Sequence, residues 1–302
     1  MTFPFKQIRS IATIVIMGSL LVAGAPVLAW DAPVPRSATA QTDQSWSKFL
    51  QNHVSHSGLV DYKSAKTDAD LIAFVSLLAD FDLDQLKTSD ERMAFWINAY
   101  NALAIYGVTL RLPNNETKWE SFSVVEQPID GLPASKGFFV GIRFEVGKMR
   151  LTLDDIEKKI LLRQWDDLDA DKRKQFERLA PDQGDPRIHF ALVCCALGCP
   201  ILNREPYVAE RLDDQLNRAT RSFLTDKNRS QFEATKKNWS VSELIQWYQS
   251  DLINPKYKNS SRSVLTFAAD NVQDSSLARS LRTDTWRVSY LKYDWRLNNW
   301  RR

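Results

Sequence analysis

Apolar positions recur at helical spacing through much of the first half of the chain. Residues 45–51 and 69–79 each carry such a stripe. A longer helix opens at Thr88-Ser-Asp-Glu91, where a hydroxyl and a carboxylate have the spacing of a capping box. It runs to Leu110, before Pro113. Over residues 138–149 the pattern shifts to strands, with Gly147-Lys148 as a hairpin turn. Thr152-Leu-Asp-Asp155 caps a helix to about Arg163, and residues 166–178 read as a charged surface helix. Residues 187–193 alternate and are rich in β-formers, which predicts a strand leading into a turn that Pro200 closes. Residues 207–224 form an amphipathic helix with Val208, Leu212, Leu216, Ala219 and Phe223 on one stripe. Ser240-Val-Ser-Glu243 caps a helix through Leu252, and residues 286–295 alternate as a late strand. Helices outnumber strands, and the strands do not follow βαβ order. The expected class is α+β: a predominantly helical single domain with a small, mostly antiparallel sheet.

The first 29 residues do not fit this scheme. Lys6 and Arg9 precede an uncharged apolar run from Ile11 to Leu28, and Val27-Leu28-Ala29 has the small-residue form of a cleavage site. Residues 1–29 are therefore expected to be a signal peptide, which places the protein in the periplasm or outside the cell. Residues 30–42, rich in Pro, Ala, Ser and Thr, are expected to be a flexible lead-in to a globular domain over residues 43–302. The whole chain holds 40 basic and 37 acidic side chains. Without Lys6 and Arg9 the balance is nearly neutral, and no block of like charge stands out. Nucleic acid and, once the signal is removed, membrane are not expected partners.

Some residues break the local pattern. Asn98 and Asn101 share a side of a helix that is apolar nearly all round. A buried amide needs partners or costs about 1–3 kcal/mol, so the pair either orients a catalytic group or ties the helix to neighbouring backbone. Glu157 falls inside the stripe of Leu153, Ile156, Ile160 and Leu161. A core-facing carboxylate must be paired, coordinated or protonated; His189 and Arg187 are its candidate partners.

All three cysteines, Cys194, Cys195 and Cys199, lie within six positions just after His189, one of three histidines. Thiolate is the strongest side-chain nucleophile and imidazole its usual base. Read as a strand, the segment puts Ile188, Phe190, Leu192 and Cys194 on the core face and His189 with Cys195 on the other. Three thiols in an oxidising compartment cannot all pair within one chain. Zinc held by His189 and two thiolates is a rival reading, but no Cys-X-X-Cys is present. No metal and no cofactor are expected.

Phe95-Trp-Ile-Asn-Ala-Tyr-Asn-Ala102, Leu153-Asp-Asp-Ile-Glu157, Arg187-Ile-His-Phe-Ala-Leu192 with Cys199-Pro200, and Tyr293-Asp-Trp-Arg-Leu-Asn298 together resemble the domain of unknown function 547 family, over about residues 60–298. The resemblance implies that Asn98, Asn101, Glu157, His189, Cys194, Cys199 and Pro200 are signature positions and that Cys195 is the extra thiol. It implies no settled activity.

Two functions are expected from these residues. The first is a thiol-dependent hydrolase or acyl transferase acting on a small-molecule or peptide substrate. Its nucleophile would be Cys199, or else Cys194, with His189 as base, Glu157 as its orienting partner, and Asn98 as orienter or oxyanion donor. The alternative is a non-catalytic ligand- or protein-binding module pinned by a Cys194–Cys199 disulfide.

Overall fold

The structure, a computed structural model, describes residues 30–34, 44–126 and 137–300. The expected signal peptide and most of the lead-in lie outside the described residues.

The N-terminal half is built on one helix. α1 (Gln44–His53) lies on α2 (Tyr62–Ala65) and α3 (Ala69–Asp80), and both of these lie against α4 (Ser89–Arg111). The capping box starts α4 as expected: Glu91 donates its backbone N–H to Thr88 Oγ1, while its carboxylate accepts the Thr88 N–H at 2.7 Å. Trp96, Ile97, Leu103, Ile105 and Val108 are fully buried, so the helix is enclosed on nearly every side. α5 (Phe138–Gly141) leads into β2 (Ile142–Val146), which turns back antiparallel as β3 (Met149–Leu151). The turn is Gly147-Lys148 with φ of 55° and 62°, the left-handed pair that a two-residue hairpin demands.

β2 also pairs in parallel with β1 (Trp30–Asp31). Ala32 donates its N–H to Arg143 O, and the Tyr106 hydroxyl donates to Pro33 O. The first residues of the expected flexible lead-in are thus held by a sheet edge and by α4. Ladder bonds and an aromatic hydroxyl outweigh a composition that, taken alone, reads as linker.

In the C-terminal half, α6 (Ala170–Leu179) starts a few residues later than the charge pattern suggests, because Asp169 caps it through the Lys172 N–H. α7 (Leu212–Thr225) buries the predicted stripe from Leu212 onward; Val208 lies before it, ahead of a separate 3-10 turn, and is half-buried. A second sheet joins β4 (Ser230–Glu233) antiparallel to β5 (Asn238–Ser242), and β5 parallel to β6 (Arg287–Leu291). Alternation does not reveal β4, whose buried position is a serine, and in β5 the buried Trp239 and Val241 are interleaved with serines that read as a helix cap. Ser230 is buried and accepts a bond from Trp239 Nε1. Ser242 ends β5 and caps α8 (Glu243–Trp247); α9 (Gln249–Leu252) follows after a break at Tyr248. α10 (Val264–Asn271) and α11 (Ser275–Thr283) pack on each other. Helix exceeds strand, about 51% to 12%, and the class is α+β. The strands form two small sheets, each mixed rather than mostly antiparallel.

One predicted strand is not there. Pro186–Phe190 is a 3-10 turn. Pro186 fixes φ and has no N–H for a ladder, and the Asp185 carboxylate caps the turn through the Arg187 N–H at 3.0 Å. Every residue from Pro186 to Val193 is buried, so alternation between faces carried no information here.

Candidate functional site

Glu157 stands on a helix whose Asp155–Leu161 stretch has the wider π geometry, with the Leu162 N–H bonded to Glu157 O. π-turns of this kind cluster at functional sites. The predicted cap is present: Thr152 Oγ1 accepts the Asp155 N–H at 3.0 Å, and Asp155 Oδ2 accepts the Thr152 N–H at 2.9 Å. Glu157 is 8% exposed. Arg187, one candidate partner, is occupied elsewhere. Its guanidinium binds Asp185 at 2.6 Å, Asp213 at 2.8 Å and Asn217 at 2.6 Å. That cluster fastens the 3-10 turn carrying His189.

His189 is enclosed, and each ring nitrogen faces a carboxylate. Nε2 lies 3.1 Å from Asp251 Oδ2, and Nδ1 lies 3.7 Å from Glu157 Oε1. Because the first distance is a hydrogen bond and an ionised carboxylate only accepts, Nε2 carries a proton toward Asp251, and in the neutral ring Nδ1 presents a lone pair. The other Asp251 oxygen accepts from Gln164 Nε2 at 3.3 Å. The Tyr248 ring stacks on the imidazole, centroids 3.6 Å apart, and its hydroxyl bonds the Glu157 carboxylate. His189 Nδ1 and Glu157 Oε1 are both buried, and neither has a hydrogen-bond partner.

Asp251, the partner that orients His189, is absent from the sequence-based candidates. Yet Leu244, Tyr248, Asp251 and Leu252 follow i, i+4, i+7, i+8, so Asp251 sits in an apolar stripe just as Glu157 does. The same misfit would have marked it.

Burial pushes the Glu157 carboxyl above its ordinary range, against the lowering influence of His189 and the Tyr248 hydrogen bond; Asp154 adds to the rise and Lys158 opposes it. A carboxyl with a raised folded pKa binds its proton more tightly in the native state. Its contribution to stability is therefore complete below the unfolded carboxylate range, about pH 4, and is lost as pH rises through the folded value. Urea titrations across that window are expected to show a fall in wild-type stability that Glu157→Gln lacks. Parallel curves would refute the assignment.

The cysteine loop differs from the strand-based picture. Cys194 and Cys199 are joined by a disulfide, Cα atoms 6.1 Å apart, and Cys195 is free and buried. Cys194 is partly exposed rather than continuing a core face. Cys195 adopts φ of 61°, which turns it away from the His189 side toward Tyr62. Cys199 Sγ accepts the Cys194 N–H at 2.9 Å, and Cys199 is 1% exposed. The Tyr293 hydroxyl lies 2.9 Å from Cys194 Sγ. Outside the bridge, Leu197 and Gly198 donate N–H groups to Arg296 O and Asp294 O, and Arg229 binds Cys199 O at 2.7 Å. A Cβ on Gly198 would sit 2.9 Å from Asp294 N, so only glycine permits this approach.

Both asparagines bind backbone. Asn98 accepts the Tyr207 N–H at 3.0 Å, donates to Tyr207 O at 2.8 Å, and takes Trp46 Nε1 at 3.2 Å. Asn101 accepts the Val193 N–H at 2.9 Å and donates to Ala191 O at 3.0 Å. Asn101 thus couples α4 to the approach of the cysteine loop.

Two adjoining clefts reach this cluster. A narrow one of about 40 Å³ is walled by Tyr100, Trp247, Trp295, Cys194, Glu157 and His189. A wider one of about 320 Å³ includes Gln164, Asp251, Asn254 and Tyr257. Glu157, Trp247 and Tyr248 line both. Among the described residues, no group of three or more His, Cys, Asp or Glu is arranged to hold a metal ion.

These features define an α+β protein with a buried histidine between two carboxylates beside a disulfide-closed loop. Residues 83–224 match the family model described as "Protein of unknown function, DUF547", which supports the resemblance to that family. The match spans α4, the π-helix, the His189 turn, the cysteine loop and α7. Asp251, Tyr248 and Trp295 lie beyond it. Comparison with curated proteins and with solved structures yields no match.

Proposed function

We propose that this is an exported ligand-binding protein, in which the Cys194–Cys199 bridge holds one wall of the cleft and His189, Glu157 and Asp251 recognise a small molecule or peptide. One observation carries the reading: His189 Nδ1 and Glu157 Oε1 stand 3.7 Å apart, both buried and without partners, at a cleft. Buried polar atoms left unpartnered cost free energy that a bound ligand recovers. The disulfide counts against a thiol nucleophile, since Cys199 is paired and enclosed and the Cys195 thiol is pushed up to about 12 by burial. Export is supported by the basic-then-apolar first 29 residues and by a disulfide, which persists in oxidising compartments.

Non-reducing peptide mapping with iodoacetamide on the native protein tests this. The expected result is a quantitative Cys194–Cys199 bridge, with Cys195 alkylated only after unfolding. Native alkylation of Cys199 or Cys194 would overturn the reading and restore the thiol-dependent enzyme. A fragment screen by thermal shift, compared between wild type and His189→Asn, then identifies ligands that use the cleft.

A further inference from the structure

We propose that the narrow cleft is a receptor for a primary alkylammonium group, held by Glu157 Oε1 and His189 Nδ1 against an aromatic wall. The inference rests on the binding reading above and specifies its ligand class.

The two unpartnered atoms are both acceptors. Asp251 takes the Nε2 proton of His189, which in the neutral ring leaves Nδ1 a lone pair, and an ionised carboxylate oxygen accepts as well. Two acceptors 3.7 Å apart with nothing between them call for one group that donates twice. An ammonium carries three N–H donors on one atom, so two satisfy Glu157 and His189 and the third remains.

The surroundings select charge over a neutral donor. Asp154, Glu157 and Asp251 lie around the imidazole; among the described residues no Lys or Arg lines the narrow cleft, and Lys158 in the wider one is already paired with Asp154. The rest of the narrow cleft is largely aromatic: Tyr100, Trp247, Tyr293 and Trp295 present rings whose faces attract cations. Trp247 and Trp295 stack at 5.6 Å, and Tyr293 packs on Trp295 at 4.6 Å, so the wall is preformed.

Size narrows the class further. A space of about 40 Å³ takes an ammonium head and not a guanidinium with its substituents. An alkyl stem would leave past Glu157, Trp247 and Tyr248, the residues shared with the wider cleft. There Arg163 and Lys256 offset Asp166, while Gln164 and Asn254 offer amides of the kind that bind peptide backbone. The amine can thus be a lysine side chain of a peptide or a free alkylamine; the chemistry at the head is the same.

Isothermal titration of the intact, oxidised protein separates the possibilities. The probes are n-butylammonium chloride, the neutral alcohol pentan-1-ol, one heavy atom longer, and tetramethylammonium chloride, which has charge but no N–H. Butylammonium is expected to bind at least about tenfold more tightly than either, the loss that follows when a charged hydrogen bond is forfeited. Equal binding of pentanol or tetramethylammonium overturns the proposal. So does absence of butylammonium binding, and if a fragment from the thermal-shift screen still occupies the cleft, the binding reading stands without it.

Glu157→Gln is expected to weaken butylammonium about tenfold and to leave pentanol unchanged. The selectivity of the wild-type protein decides the matter even if that variant does not fold. Nα-acetyl-lysine methylamide serves as the peptide arm. Binding tighter than butylammonium assigns the ligand to a lysine peptide, and equal binding assigns it to a free amine.

Discussion

Replacing Arg187 with methionine is expected to lower stability by about 3–5 kcal/mol, a large share of what a domain this size holds in reserve. Arg187 is 2% exposed and Asp185 is fully buried. The guanidinium meets Asp185 through Nε at 3.0 Å and Nη2 at 2.6 Å, and without it that carboxylate keeps only neutral donors, Asn259 Nδ2 and the residue-187 backbone N–H. Removing the arginine strands a buried negative charge, which costs far more than the pair contributes over an apolar substitute. Asp213→Asn is the matched control. Its side chain is 73% exposed, so losing that arm of the cluster is expected to cost under about 1 kcal/mol. Urea denaturation of the two variants measures the contrast. Because Asp185 and Arg187 flank the turn that carries His189, the methionine variant is also expected to broaden the His189 ring resonances. An Arg187→Met protein within about 1 kcal/mol of wild type would show that the cluster does not anchor the turn.

The second large effect is expected at Asn101. Asn101→Leu keeps the volume roughly constant and removes the two bonds to Ala191 O and Val193 N. Both backbone groups lie in a segment shut off from water, so each left unpaired costs about 1–3 kcal/mol. A loss of about 2–5 kcal/mol is the expected total. Its distinguishing sign is local: the Val193 amide should exchange hydrogen much faster, and Cys195 should become reactive toward thiol reagents before global unfolding. Uniform destabilisation, with Val193 protection falling only in step with the rest, would show that Asn101 is packing and not a clasp.

What the sequence disclosed follows from where its signals are local. The capping box at Thr88 and the left-handed pair at Gly147 and Lys148 depend on neighbours within four residues, and both are present as read. Glu157 and His189 were singled out as misfits, and they do meet, because an ionisable group on an apolar stripe has few ways to be satisfied. Asp251 went unremarked although its spacing marks it in the same way. The strand expected at residues 187–193 failed for a physical reason. In a segment buried on all sides, alternation reports nothing about faces, and Pro186 with the Asp185 cap selects a 3-10 turn. β4 is hidden by the inward Ser230, whose hydroxyl is bonded, and β5 by a Ser240–Glu243 run that reads as a helix cap. Tertiary partners, invisible in a linear reading, decided each of these.

Cys195 has a last consequence. Three sulfurs so close in sequence could in principle be oxidised in three different combinations. Its side chain is walled in beside Tyr62, and burial pushes its thiol up to about 12, so that it stays protonated near neutrality. Exchange requires an ionised attacker with access to the bridge, and this one has neither. The oxidised protein is therefore confined to one covalent isomer, protected from sulfur scrambling and from crosslinking to a second copy through its odd cysteine.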